Sequence, residues 1–116
     1  MTVTIYHNPR CSKSRQTLQL LKDKGIEPIV IDYLKTPPDA ETLDKLLTML
    51  SLQPRELMRR KEAEYKEHGL NDESLSREQL IQAMVNYPRL IERPIVVADD
   101  RAAIGRPPEA VEEILS

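Results

Sequence analysis

Residues 2–33 constrain this chain more than any other segment. Thr2-Val3-Thr4-Ile5-Tyr6 alternates and is rich in β-branched side chains, which reads as a strand. His7-Asn8-Pro9-Arg10 is a loop with a turn signal. Ser12 to Lys24 contains neither Gly nor Pro, places Leu18 and Leu21 on one face, and is followed by Gly25 as a helix stop. Pro28-Ile29-Val30-Ile31-Asp32-Tyr33 reads as a second strand. Strand, helix and strand within this length make a right-handed βαβ unit.

Pro37-Pro38 breaks the chain. Beyond it, Asp39 caps a helix with Leu43, Leu46, Leu47 and Leu50 at i, i+3, i+4 and i+7. A short helix is expected over 54–60. Residues 61–74 are polar, only weakly periodic, and are not assigned an element. Ser76 and Gln79 form a capping box for a helix that ends before Pro88. Ile95-Val96-Val97-Ala98 reads as a buried strand, Asp99-Asp100 as its turn and Ala102–Ile104 as an antiparallel partner. Pro107 suits the first position of a last helix with Ala110, Val111, Ile114 and Leu115 inward. A βαβ half and a ββα half sharing one mixed sheet is the thioredoxin-type α/β arrangement. The expectation is a single domain, 1–116, with halves over 1–36 and 88–116 and a helical insertion over 37–87.

Counts narrow the function. Seventeen Lys+Arg against nineteen Asp+Glu leave a net charge of −2, which disfavours nucleic acid as a partner. No apolar run reaches a membrane span, and the start of the chain lacks a basic region followed by an apolar stretch, so the expected location is the cytoplasm. Three glycines do not make a dinucleotide fingerprint or a phosphate loop, and a single cysteine excludes an internal disulfide and a Cys-rich zinc site. No metal is expected.

That one cysteine, Cys11, stands where the first strand hands over to the first helix. A helix N-terminus has unpaired N–H groups and about half a positive charge, which favours a thiolate. Arg10, Lys13, Arg15 and His7 add positive charge, and Ser14 brings a hydroxyl within reach of the sulfur. The same N–H groups and cations attract a tetrahedral oxyanion. A nucleophile and an anion cradle therefore coincide. The alternative is a small buried hydrophobe, the usual state of a free Cys, but the neighbours here are Arg, Ser and Lys. His68 lies in a polar stretch and reads as exposed.

The pattern His7-x-x-x-Cys11-x-x-x-Arg15 resembles the active-site loop of the glutaredoxin-dependent arsenate reductase (ArsC) family, in particular its chromosomal ArsC-like subgroup. Arg55–Lys61, Tyr65–Leu70, Ile91–Val97 and Gly105–Glu109 resemble further family segments in family order, so the likeness spans essentially the whole chain. Ser12-Lys13 departs from it, standing where family members carry smaller residues, which makes this loop more basic. The resemblance implies a thioredoxin-like fold with an inserted helical subdomain and Pro94 as the structural cis-proline. It implies Cys11 as nucleophile, assisted by His7 and Ser14. It implies that Arg59, Arg93 and Arg106, with Arg15 and Asn8 of the loop, bind arsenate; Arg60 is adjacent to Arg59, and a shift of one residue exchanges them. Glutathione would be the co-substrate, glutaredoxin the protein partner, and the chain a monomer with no bound cofactor. Two other readings stand beside it. One is a redox or stress regulator of the Spx type that binds RNA polymerase, although Ser14 replaces the second cysteine of such switches. The other is a glutathione-dependent thiol reductase with a different substrate. A Cys-x5-Arg phosphatase is disfavoured because position 17 is Thr17.

Overall fold

The structure, a computed structural model, describes residues 1–115. The chain divides into two compact units, 1–36 with 93–116 and 37–92.

The first unit is a four-stranded mixed sheet in the order β2-β1-β3-β4, a thioredoxin-like arrangement. Its strands are β1 Val3–His7, β2 Ile29–Asp32, β3 Ile95–Ala98 and β4 Arg101–Ile104. β1 runs parallel to β2 and antiparallel to β3, which in turn pairs antiparallel with β4. Helix α1, Ser12–Asp23, makes the β1–β2 crossover. It ends where expected, for a local reason: Gly25 adopts φ +78°, its N–H donates to the Lys22 carbonyl, and the Ile26 N–H donates to the Leu21 carbonyl. That double closure is the Schellman arrangement, which a residue without Cβ adopts without strain.

One face of the sheet is covered. Val3, Ile5, Val96 and Ala98 pack with Leu21 of α1 and with Val111 and Ile114 of the last helix. Fully burying a side chain of this size contributes roughly 1.5–3 kcal/mol, so these few residues anchor the sheet. The last helix, Pro108–Ile114, is 3-10 rather than the expected α-helix, and Pro108 rather than Pro107 takes its first position; Pro107 is the N-cap. The Arg93–Pro94 and Arg106–Pro107 bonds are both cis.

The second unit holds α2 Ala40–Leu50, α3 Pro54–Leu57, α4 Ala63–Glu67, α5 Arg77–Asn86 and a 3-10 turn at Pro88–Leu90. The Asp39 carboxylate accepts the Thr42 N–H at 2.8 Å, and that bond holds its pKa below the ordinary value. Ser76 and Gln79 form the expected capping box on α5. Two expectations are corrected. The helix over 54–60 stops at Leu57, because Met58 turns extended and bridges Ile91, with Arg59 N–H on the Leu90 carbonyl and Glu92 N–H on the Leu57 carbonyl. The polar stretch 61–74 contains α4, and His68, at its end, stacks on Tyr87 with ring centres 4.0 Å apart. Among the described residues no helix is long and apolar enough to cross a membrane.

Candidate active site

Two buried stripes converge on the β1–α1 loop. Along β1 the residues facing the core are Val3, Ile5 and His7. Along α1 they are Leu21, Thr17 and Ser14. Both stripes are apolar at one end and polar at the other, and the crossover lays the polar ends together. The His7 ring nitrogen Nδ1 lies 2.6 Å from Ser14 Oγ, both residues being buried. Ser14 Oγ also accepts the Asn8 backbone N–H at 3.0 Å. With the ring proton on Nε2 the Ser14 hydroxyl donates to Nδ1; with it on Nδ1 the ring donates and the hydroxyl hydrogen is released toward the loop. Burial is the main cause that pushes the His7 pKa below its ordinary value; Asp32 opposes this, while Arg15 and Lys22 add to it.

Asn8 holds the loop. Its backbone carbonyl accepts the Cys11 N–H at 3.0 Å, and its side-chain oxygen accepts the Arg10 N–H at 2.9 Å. Cys11 is the N-cap of α1, with an extended backbone, and its carbonyl accepts the Arg15 N–H, the first bond of the helix. Cys11 makes no side-chain capping bond, and the first turn of the helix has no acidic residue. Cys11 is buried, but its sulfur meets a cation: Arg106 Nη2 lies 3.5 Å from Sγ. Arg106 is itself anchored, its Nε donating to the Arg93 carbonyl at 2.8 Å. The Arg15 guanidinium donates to the Pro9 carbonyl at 2.9 Å and so braces the loop from outside.

The first unit therefore gathers His7, Asn8, Cys11, Ser14 and Arg15 where β1 hands over to α1, with Arg93, Pro94 and Arg106 on the two segments flanking β3 and β4. Arg59 belongs to the second unit. There its guanidinium pairs with Glu62 at 3.2 Å and Glu92 at 3.8 Å. Arg60, by contrast, is exposed and donates to the Arg55 carbonyl at 3.3 Å.

Two contributors escaped the sequence reading. Gly105 lies against α1: a Cβ there would collide with the Thr17 hydroxyl and stand 2.8 Å from Pro94 Cγ. Its N–H donates to the Pro94 carbonyl at 3.0 Å, tying the Arg93 segment to the Arg106 segment. Thr17, fully buried, donates its hydroxyl to the Lys13 carbonyl. The only available signal was the scarcity of glycine, which makes a Gly just before Arg106-Pro107 a candidate for close approach.

The fold is a thioredoxin-like sheet with a lone cysteine at a helix N-terminus and an arginine on its sulfur. The comparisons identify the family: the ArsC family profile matches residues 6–114, and the chain belongs to the ArsC family. YfgD of Escherichia coli K12 is 64% identical over 114 residues, covering 97% of this chain and 96% of its own. An arsenate reductase of Haemophilus influenzae is 47% identical over 116 residues, covering 99% of this chain and all of its own. The solved structure of an arsenate reductase from Vibrio cholerae superposes with a TM-score of 0.96 at 55% identity, covering 98% of both chains.

Proposed function

We propose that this protein reduces arsenate to arsenite through the Cys11 thiolate. The observation that carries the reading is the 3.5 Å approach of the Arg106 guanidinium to Cys11 Sγ at the N-terminus of α1. A thiolate there attacks the arsenic of an oxyanion whose oxygens face fixed N–H donors and guanidinium groups. Family membership and the arsenate reductases among the relatives support the same substrate.

In this scheme the sulfur bonds to arsenic and one oxygen leaves as water. Arg106 and Arg93 hold the remaining oxygens bidentately. Asn8, Ser14 and His7 keep the loop in the conformation that points Sγ at the oxyanion. A glutathione thiol then resolves the adduct. Arsenic takes two electrons, one from Cys11 and one from glutathione; arsenite is released and a Cys11–glutathione disulfide remains. A glutaredoxin reduces that disulfide and returns the thiolate. The sulfurs supply every electron, so the scheme needs no bound cofactor. Every group named comes from one chain, consistent with a monomer, and glutathione makes the cytoplasm its setting. The family resemblance also names Arg59 as an oxyanion ligand.

The test is arsenate-dependent NADPH oxidation in the presence of glutathione, glutathione reductase and glutaredoxin. The wild type is expected to form arsenite and Cys11→Ser to form none. Arsenite from the serine variant at the wild-type rate would overturn the reading.

A further inference from the structure

We propose that Arg10 and Lys13 bind the carboxylates of the small thiol that resolves the Cys11 adduct, and so select the donor rather than the oxyanion. The inference rests on the thiol-donor step above. The first acidic residue of the chain is Asp23; before it stand Arg10, Lys13, Arg15 and Lys22, in a protein of net charge −2. Three of these cations bracket Cys11, and all three are exposed while Cys11 is buried. Arg15 is committed to the Pro9 carbonyl. Among the described residues no ion pair engages Arg10 or Lys13, and the first turn of α1 has no acid to neutralise them. The Arg10 backbone is nevertheless fixed, through its N–H on Asn8 Oδ1, and Lys13 stands in the first turn of α1.

Depth separates the roles. An oxyanion bonded to Sγ lies at the buried sulfur, where Arg106 stands. Cations at the exposed rim meet what remains in solvent when a second sulfur comes in. Glutathione carries its thiol in the middle and a carboxylate at each end. When its sulfur reaches the buried centre, its carboxylates stay at the rim, opposite Arg10 and Lys13. The long flexible stems of these side chains follow such a ligand without a preformed pocket.

The test uses thiol–disulfide exchange, which needs no arsenate. The Cys11 thiolate attacks one sulfur of a symmetric disulfide, forms the mixed disulfide and expels the other half as a thiolate, with no net oxidation. Three reagents differ in charge: glutathione disulfide (anionic), 2-hydroxyethyl disulfide (neutral) and cystamine (cationic). The ratio of anionic to neutral rates cancels any change in thiolate population. At low salt this ratio is expected to fall about tenfold in the double variant Arg10→Ala, Lys13→Ala. In the wild type it should shrink as salt shortens the screening length below about 10 Å. Lys13→Glu with Arg10→Glu should favour cystamine. With arsenate as substrate, the double alanine variant should raise the KM for glutathione by a larger factor than that for arsenate. An unchanged rate ratio, or a raised arsenate KM with an unaltered glutathione KM, overturns the proposal. The two readings fail separately. A wild type that ranks the disulfides by charge but makes no arsenite refutes arsenate reduction and keeps the anion-selective rim. Arsenite formation without the ranking refutes the rim alone.

Discussion

At the scale of single residues, the arginines act by position. Arg106 reaches Sγ because its Nε is pinned to the Arg93 carbonyl, so the guanidinium is preorganised before any anion arrives. Removing a donor aimed at developing charge costs about 10²–10³ in rate. Arg106→Ala is therefore expected to lose turnover by that factor with an unchanged urea midpoint, and Arg93→Ala to follow it. Between Arg59→Ala and Arg60→Ala, only the former should slow the reaction; steady-state rates of all four variants check this. His7 gives a second expectation. Its folded state binds a proton less readily than the unfolded chain does, because burial disfavours the imidazolium. Stability is thus highest above the ordinary value of 6.5 and falls as pH drops through the lower folded value. Urea midpoints between about pH 8 and pH 5 should decline more steeply for wild type than for His7→Gln. Equal slopes would mean that His7 titrates as in the unfolded chain. Cys11 was legible because its neighbours are charged and its place at a strand–helix junction is local information. Asp32, which acts on His7, was not: it reaches the loop only because β2 pairs with β1 in the register His7–Asp32.

At the scale of elements, the Arg93-Pro94 and Gly105-Arg106 segments are positioned by contact with α1. Gly105 has space for a hydrogen and nothing larger between Thr17 and Pro94. Gly105→Ala is expected to destabilise the fold by about 1–3 kcal/mol, the usual cost of overpacking. Adding Thr17→Ala removes the atoms in the way and should recover part of that loss, a coupling that a double-mutant cycle in urea measures. Additive losses would place the strain elsewhere. The helices with strong local codes followed their codes: Asp39 and Ser76 cap where expected, and Gly25 stops α1. Residues 58–60 did not. Met58, Arg59 and Arg60 all favour helix intrinsically, yet pairing with Ile91 and Leu90 outweighed another turn of helix. α4 escaped notice because it buries no residue and so leaves no apolar period to read.

At the scale of the whole molecule, one cysteine sets the chemistry that can follow the first bond. A chain that resolves its own adduct needs a second thiol within about 7 Å between Cα atoms. This chain has none, so in the proposed scheme the resolving sulfur comes from outside. Thioredoxin, thioredoxin reductase and NADPH without glutathione are expected to give no arsenite, and glutathione with glutaredoxin to restore it. Equal turnover in both mixtures would refute the single-thiol scheme.

By itself the sequence determined the order of the strands and of the longer helices, most of their ends, and the place of Cys11 at the first strand–helix junction. Those features are coded within a few residues by periodicity, caps, glycine and the charge around Cys11. Tertiary structure alone decided that Arg106 stands against Cys11, ninety-five residues away in the chain. It alone joined Gly105 to Thr17, carried Met58 to Ile91 and brought the polar ends of two buried stripes together at His7 and Ser14. The reason is physical. Local propensity acts over one or two turns, whereas contacts between distant segments depend on which faces can be buried together, and burial is a property of the assembled sheet and helices.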